Sequence, residues 1–346
     1  MKSRRFFPIL ILALAAVTLP VSCSEDDDDD TKEYLSGSLS FKIPSYMERG
    51  ESKSFQLDSM AFLTRSDGGA VGYYWTDTES VRDTILFLDG TTGTGHSGKT
   101  FTVTVPSDLG SYSMSLSGYG DSEIYYITTK TVSFVVVDDS LDGDGSITGF
   151  RIGLPGESFT DPRDGREYWF ATVGNTEWMR QNLAWTGAGS DFALCPAMNG
   201  IFGRYYTWEE AQTACPEGWE LPTDSDWVEL AENFGGLLDE CTGTVSGVAG
   251  SLMGDFSFND EKMWEYWTEV EITNSSGLSC IPTGYATIED GECIFPDSSS
   301  YCVLWTSSEQ EGLGIYRYIY ETRNDLCEGL GSKTDFAAPL RCIRRK

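Results

Sequence analysis

The sequence predicts two units of different class: an all-β sandwich over residues 35–137 and an α+β, disulfide-rich domain over residues 150–346. Three observations predict this. Short runs of alternating apolar and polar residues fill the first stretch, which holds no cysteine. Eight of the nine cysteines (Cys195, Cys215, Cys241, Cys280, Cys293, Cys302, Cys327 and Cys342) lie in the second, an even number suited to disulfides. Nine of the ten tryptophans also lie beyond Ile152, so the bulkiest apolar side chains gather where the second core must form. A chain of 346 residues has room for both units.

The elements follow in order. A basic start (Lys2, Arg4, Arg5) precedes an apolar run over 6–19, and Pro20-Val21-Ser22-Cys23 follows. The run is too short to span a bilayer, so residues 1–22 are expected to be a signal peptide. Ser22-Cys23 resembles the lipobox of bacterial lipoproteins, with Pro20 departing from its usual aliphatic residue; Cys23 is the expected lipidation site. Residues 23–34 then form a lipidated acidic tether, because Glu25 and Asp26 to Asp30 repel one another and cannot collapse. This block resembles the export signal that sends lipoproteins of the Bacteroidota to the cell surface. The expected location is therefore the outer membrane, lipid-anchored and facing outward.

In the first domain Leu39, Phe41 and Ile43 alternate with polar residues, as do Phe101, Val103 and Val105, and Tyr112, Met114 and Leu116. Further strands are expected over 55–63, 71–75, 84–88 and 125–137, with Tyr73-Tyr74-Trp75 placing an aromatic in the core. The strand pattern, with Phe101-Thr-Val-Thr-Val-Pro106 followed by Leu109-Gly110-Ser111-Tyr112, resembles PKD-like and other immunoglobulin-like modules, which act as spacers. Residues 138–149 read as an acidic linker. Their spacing is similar to an EF-hand loop, but Gly149 stands at the twelfth place where a bidentate Glu is required.

In the second domain Thr207-Trp208-Glu209-Glu210 is a capping box that opens a helix towards Cys215. Thr223 to Asp226 opens another with an acidic first turn; Trp227, Leu230, Ala231 and Phe234 make its apolar face, and Gly235-Gly236 stop it. Strands are expected over 303–307, 315–321 and 340–344.

Six segments then resemble one family. They are the stretch from Asp161 to Leu183, Gly203 to Ala211, Ala214 to Trp227, Leu304 to Glu309, Tyr316-Arg317-Tyr318 and Pro339 to Ile343. Together they resemble the Fibrobacter succinogenes major paralogous domain over about 150–346, with 233–300 the least typical part. That family looks similar to C-type-lectin-like domains: two helices, a long irregular region and a final strand tied back by a disulfide. The resemblance implies a C-terminal α+β C-type-lectin-like disulfide-rich domain behind an N-terminal all-β immunoglobulin-like sandwich. It also implies that Cys215 pairs with Cys342; the connectivity of the other six cysteines stays open.

The formal charge of -30 disfavours nucleic acid and anionic lipid headgroups as partners. His96, the only histidine, sits in a glycine-rich stretch of the first domain, so histidine base chemistry and histidine zinc sites are excluded from the second. No Cys-x-x-Cys motif is present, which argues against a redox-catalytic pair. Carboxylates are too abundant for a glycosidase pair to stand out. Sugar-binding lectins of this fold use calcium, yet Phe295-Pro296-Asp297, Trp305-Thr306-Ser307 and Asn324-Asp325 each lack part of the ligand set. No cofactor is expected, with calcium left open. The aromatics Trp264, Tyr266, Trp267, Tyr285 and Tyr301 are the candidate ligand-binding residues, in or beside loops between 237 and 301, because aromatic faces stack on sugar rings and anchor interfaces. The expected function is a surface binding or adhesion module for glycan or protein ligands, not an enzyme. The alternatives are a structural subunit of a surface appendage and a glycan-processing enzyme.

Overall fold

The computed structural model describes residues 32–40, 43–56, 61–78, 82–88, 100–138, 157–258, 261–264, 270–297 and 300–346. The leader, Cys23, the acidic block, His96 and linker residues 139–149 lie outside them, as do Tyr266 and Trp267.

The N-terminal domain is β-rich. Its main sheet has five strands, in the order Tyr46–Glu48, Thr128–Val137, Gly110–Tyr119, Val71–Thr76 and Arg82–Leu88. The first pair runs parallel and the others antiparallel. Two ribbons complete it: Ser36–Leu39 with Ala61–Thr64, and Ser52–Gln56 with Thr100–Thr104. Alternation does the expected work, since Met114 and Leu116 face the core together with Tyr73, Trp75, Val103 and Phe134. The run expected over 125–137 begins as strand only at Thr128. Tyr125 instead closes the turn before it: Tyr125 is buried, with its hydroxyl bonded to Ser66 at 2.7 Å and Arg65 over its ring.

The C-terminal domain has three sheets. One orders Glu157–Thr160, Glu167–Val173, Thr176–Met179 and Ile343–Arg345. The second orders Tyr206–Thr207, Phe336–Ala338, Tyr285–Glu289 and Glu292–Asp297. The third orders Leu237–Asp239, Thr244–Ser246, Asp325–Gly331, Leu313–Tyr320 and Tyr301–Gln310. Two helices of seven or more residues pack among them, beside two four-residue helical turns, Asn199–Phe202 and Ala249–Leu252. Trp208–Ala214 opens with the expected capping box between Thr207 and Glu210. Asp224–Glu232 opens with a second one, between Thr223 and Asp226, and it ends before Gly235, whose positive φ of 86 turns the chain. Phe234 therefore packs on the core from beyond the helix.

Cys215, at the end of the first helix, is bonded to Cys342. Across their separation of 127 residues this bond ties helix to C-terminus. The last strand starts later than expected, at Ile343. Leu340 and Cys342 precede it as buried, irregular chain whose carbonyls accept from Leu183 and Met179 N–H groups. Six of the expected disulfide cysteines are thiols in this structure: Cys195, Cys241, Cys280, Cys293, Cys302 and Cys327.

The two domains meet directly. Tyr46, Val135 and Val137 join Phe192, Met198, Ile201 and Phe202 in one apolar cluster. Tyr46 meets the Phe202 ring edge-on at 5.4 Å. Lys53 Nζ donates to the Leu194 carbonyl at 2.8 Å, and Glu48 accepts from Ala197 N–H at 3.1 Å. Asp138, expected to begin the linker, is buried and ion-paired with Arg49. A buried apolar contact of this kind opposes independent domain motion.

Candidate functional site: an aromatic strip on the third sheet

The strand Leu313–Tyr320 reads Leu-Gly-Ile-Tyr-Arg-Tyr-Ile-Tyr, with two faces of opposite character. Ile315, Arg317 and Ile319 are buried on one side. Tyr316, Tyr318 and Tyr320 stand half-buried on the other. The neighbouring strand places Trp305 opposite Tyr316, Val303 opposite Tyr318 and Tyr301 opposite Tyr320. Cross-strand neighbours share a face, so four tyrosines and a tryptophan collect on one surface.

Ring geometry extends the row across two sheets. Tyr285 stacks on Phe336 at 5.0 Å and 19°, and Phe336 stacks on Tyr316 at 5.0 Å and 9°. Tyr316 meets Tyr318 at 6.0 Å, Tyr318 meets Tyr301 at 6.1 Å, and Tyr301 stacks on Tyr320 at 4.7 Å. Trp305 lies beneath, edge-on to Tyr316 and Phe336. All six outer rings are partly exposed. Glycines make the arrangement possible: a Cβ on Gly329, the register partner of Tyr316, would enter its ring. At Gly331 a Cβ would come within 2.8 Å of Trp305.

Two of the phenols titrate above their ordinary value. Burial raises the Tyr316 pKa, and the phenols of Tyr285 and Tyr301 add to the rise. Tyr318 is pushed up to about 12 by burial and by Cys327. Like any phenol at neutral pH, both hydroxyls can donate as well as accept, and the raised values extend this further into alkali. Beside the strip Lys333 lies over the Trp208 ring at 4.1 Å and pairs with Glu309. The surface offers flat apolar rings with hydroxyl rims, and Arg323 lies near enough to Tyr318 to oppose the rise of its pKa.

The five aromatics expected to bind ligand fall into three groups. Tyr285 and Tyr301 stand in the strip, Tyr285 at one end and Tyr301 beside Tyr320 at the other. Trp264 does not: it is only 3% exposed, packs in the apolar core and donates its indole N–H to the Cys280 carbonyl at 3.1 Å. Tyr266 and Trp267 lie outside the described residues. The expected list lacked Tyr316, Tyr318, Tyr320 and Phe336. The signal for the first three was present in Tyr316-Arg317-Tyr318-Ile319-Tyr320, a period-two aromatic pattern within an expected strand.

Two of the segments weighed for calcium ligation make contacts within the fold. Thr306 Oγ1 donates to the Ile315 carbonyl at 2.8 Å, Asn324 Oδ1 accepts from Gly250 N–H at 2.9 Å, and Asp325 pairs with Arg323. Among the described residues no group of three or more His, Cys, Asp or Glu side chains gathers as a metal-ligand cluster. A small cleft is lined by Arg180, Gln181, Asn182, Ser279 and Arg341. Arg180 donates to the Gly277 carbonyl at 2.7 Å, and Arg341 to the carbonyls of Leu278 and Ser279. These guanidiniums clamp the 277–279 backbone.

Residues 171–344 match the Fibrobacter succinogenes major domain. No curated protein and no solved structure matches the chain.

Proposed function

The chain belongs to the Fibrobacter succinogenes major domain family, and from that premise we propose that it is a surface-displayed binding module whose C-terminal domain recognises a glycan or protein through the aromatic strip. The single observation that carries this reading is the row of six partly exposed rings from Tyr285 to Tyr320, built across two sheets and cleared by Gly329 and Gly331. Tyr285, Tyr301, Tyr316, Tyr318 and Phe336 pack on the core beneath them while keeping an exposed edge, and a row of such edges is a surface that a partner can cover. Flat faces edged with hydroxyls suit a pyranose, whose C–H face stacks while its hydroxyls hydrogen-bond, and they equally suit an aromatic-rich protein patch.

The finer parts of the proposal are these. The leader and Cys23 lipidation place the chain on the outer membrane, and the acidic tether carries it to the cell surface. The N-terminal domain is an immunoglobulin-like module of PKD type that holds the head away from the membrane. The head is C-type-lectin-like, a likeness supported by two helices and by a final segment bound to the first helix through Cys215 and Cys342.

The test is a binding screen of the mature chain on glycans and extracellular-matrix proteins, with calcium and with chelator. Selective binding that is lost in Tyr316→Ala and Tyr318→Ala supports the recognition head. Binding indifferent to both substitutions moves the site off the strip. A folded monomer that binds nothing under either condition sinks the recognition reading in favour of a scaffold role.

A further inference from the structure

Two thiols meet in the core of the C-terminal domain. Cys280 and Cys302 are 0% and 2% exposed and share one apolar cluster with Trp264, Leu304 and Ile319. The two thiols lie close enough to perturb one another's ionisation, Cys302 lowering the Cys280 pKa and Cys280 raising that of Cys302, and the Gly284–Cys302 bridge sets the segment after Cys280 beside the strand. Their backbones are held on both sides. Cys280 N–H donates to the Leu252 carbonyl at 2.9 Å, while its own carbonyl accepts from Gly254 N–H at 2.9 Å and from the Trp264 indole. Cys302 stands in the strand Tyr301–Gln310 opposite Ile319, and the Gly284 N–H donates to the adjoining Tyr301 carbonyl at 2.7 Å. Neither sulfur is brought to the other by a loose loop.

We propose that Cys280 and Cys302 form a second disulfide, which closes as the chain folds in an oxidising compartment and staples the 277–284 loop to the edge strand of the third sheet. The proposal rests on the exported reading for its oxidant, though not for its pairing. Every cysteine after Cys23 lies in this one domain, which is where such an oxidant would act.

The exchange balances in two steps. The Cys280 thiolate attacks a disulfide of the oxidant, either a disulfide-bearing oxidoreductase or a small-molecule disulfide, and one oxidant sulfur leaves with the electron pair. The Cys302 thiolate then attacks the Cys280 sulfur of the mixed disulfide, and the second oxidant sulfur leaves. One S–S bond is gained by the protein and one is lost by the oxidant, which takes two electrons; the two thiol protons pass to the departing thiolates. Either thiolate can make the first attack while the core is still open. Because both sulfurs are enclosed in the finished fold, exchange must precede closure of the core.

The bond would also bear on recognition. Tyr301 adjoins Cys302, and Tyr285 follows the Gly284 contact, so one staple fixes the backbone under two rings of the strip. Fixing a binding surface beforehand reduces the ordering cost of association.

Full-length chain isolated from exporting cells would be alkylated without reduction and digested after Glu and Asp. Cuts at Glu289, Glu292 and Asp297 put Cys280, Cys293 and Cys302 on separate peptides. The expected result is one linked pair joining the Cys280 and Cys302 peptides, which separates on reduction. Alkylated Cys280 and Cys302 in molecules whose Cys215 and Cys342 are joined would overturn the proposal, and so would a bridge from either to a different cysteine. Should all cysteines be reduced in the isolated chain, the exported reading fails. Refolding in reduced and oxidised glutathione then decides the pairing alone: a Cys280–Cys302 link upholds it, and its absence overturns it.

Discussion

Arg317 and Asp224 form a two-pronged ion pair beneath the aromatic strip, with Nε to Oδ1 at 2.6 Å and Nη2 to Oδ2 at 2.7 Å. Arg317 is 1% exposed and points away from its strand neighbours Tyr316 and Tyr318. Asp224 is the first residue of the second helix, so the pair pins that helix to the back of the sheet. Arg317 also donates to the Gly243 carbonyl and lies 3.4 Å from Glu328. Parallel hydrogen bonds of this kind fix orientation as well as distance.

Removing one partner from such a pair leaves a poorly hydrated charge behind. Arg317→Ala is expected to cost about 3–5 kcal/mol of unfolding free energy. Arg317→Met, which refills the volume, is expected to cost less. Denaturant unfolding of the two variants checks this, and an equal loss in both would show that the lost charge rather than the lost volume dominates at Arg317.

Glu328 is held above its ordinary carboxyl value by burial and by Asp224, against the opposing effect of Arg317. In the window from the ordinary value of 4.5 up to its raised folded value, the native state binds more protons than the unfolded chain. Stability from this group therefore falls as pH rises through that window and stays lowered above it. Glu328→Gln is expected to be more stable than the wild type at neutral pH, with the difference vanishing below pH 4.5. Paired melts across acid to neutral pH provide the measurement.

Asp226 behaves oppositely. Burial pushes its pKa up, but hydrogen bonds from the Thr223 hydroxyl and N–H and from Arg345 more than offset this and hold it below 3.8. Its contribution is present above 3.8 and is lost as pH falls through the lower folded value. Asp226→Asn weakens the capping box, and a loss of about 1 kcal/mol is expected at neutral pH. Titrating both proteins into strong acid should bring their stabilities together.

Cys215→Ser opens a loop of 127 residues. On the chain-entropy estimate the unfolded state gains freedom worth about 5 kcal/mol. The variant should unfold at much lower denaturant concentration, and Cys342 should become a labelled thiol. Cys342 that stays oxidised would mean it can take another partner.

Trp264 and Tyr318 should separate stability from binding. Trp264→Ala empties a buried site and leaves the Cys280 carbonyl without its indole donor, so a loss of about 3–5 kcal/mol is expected. Tyr318→Ala, at a half-buried surface ring, should cost little stability and weaken ligand binding about tenfold or more. Calorimetric melts beside binding titrations check both.

Short-range features were legible in the amino-acid order. Thr207 and Glu210 lie three residues apart and bond within one helical turn, so their capping box could be read without the fold. Alternation likewise placed Met114 and Leu116 in the first core, and the run Tyr73-Tyr74-Trp75 put an aromatic there, because strand period is a local property. The pairing of Cys215 with Cys342 followed from family resemblance, since spacing alone left many partners open. Tertiary structure decided the rest. Tyr285, Phe336, Tyr316 and Tyr301 come from four strands, and only cross-strand register brings their rings into one row. Trp264 looked like the surface aromatics by residue type; the depth of the pocket formed around it by Leu252, Leu278 and Leu304 made it core. Hydrogen bonds inside a turn depend on neighbours in sequence, whereas burial and register depend on partners far along the chain, and those are known only once the sheets have closed.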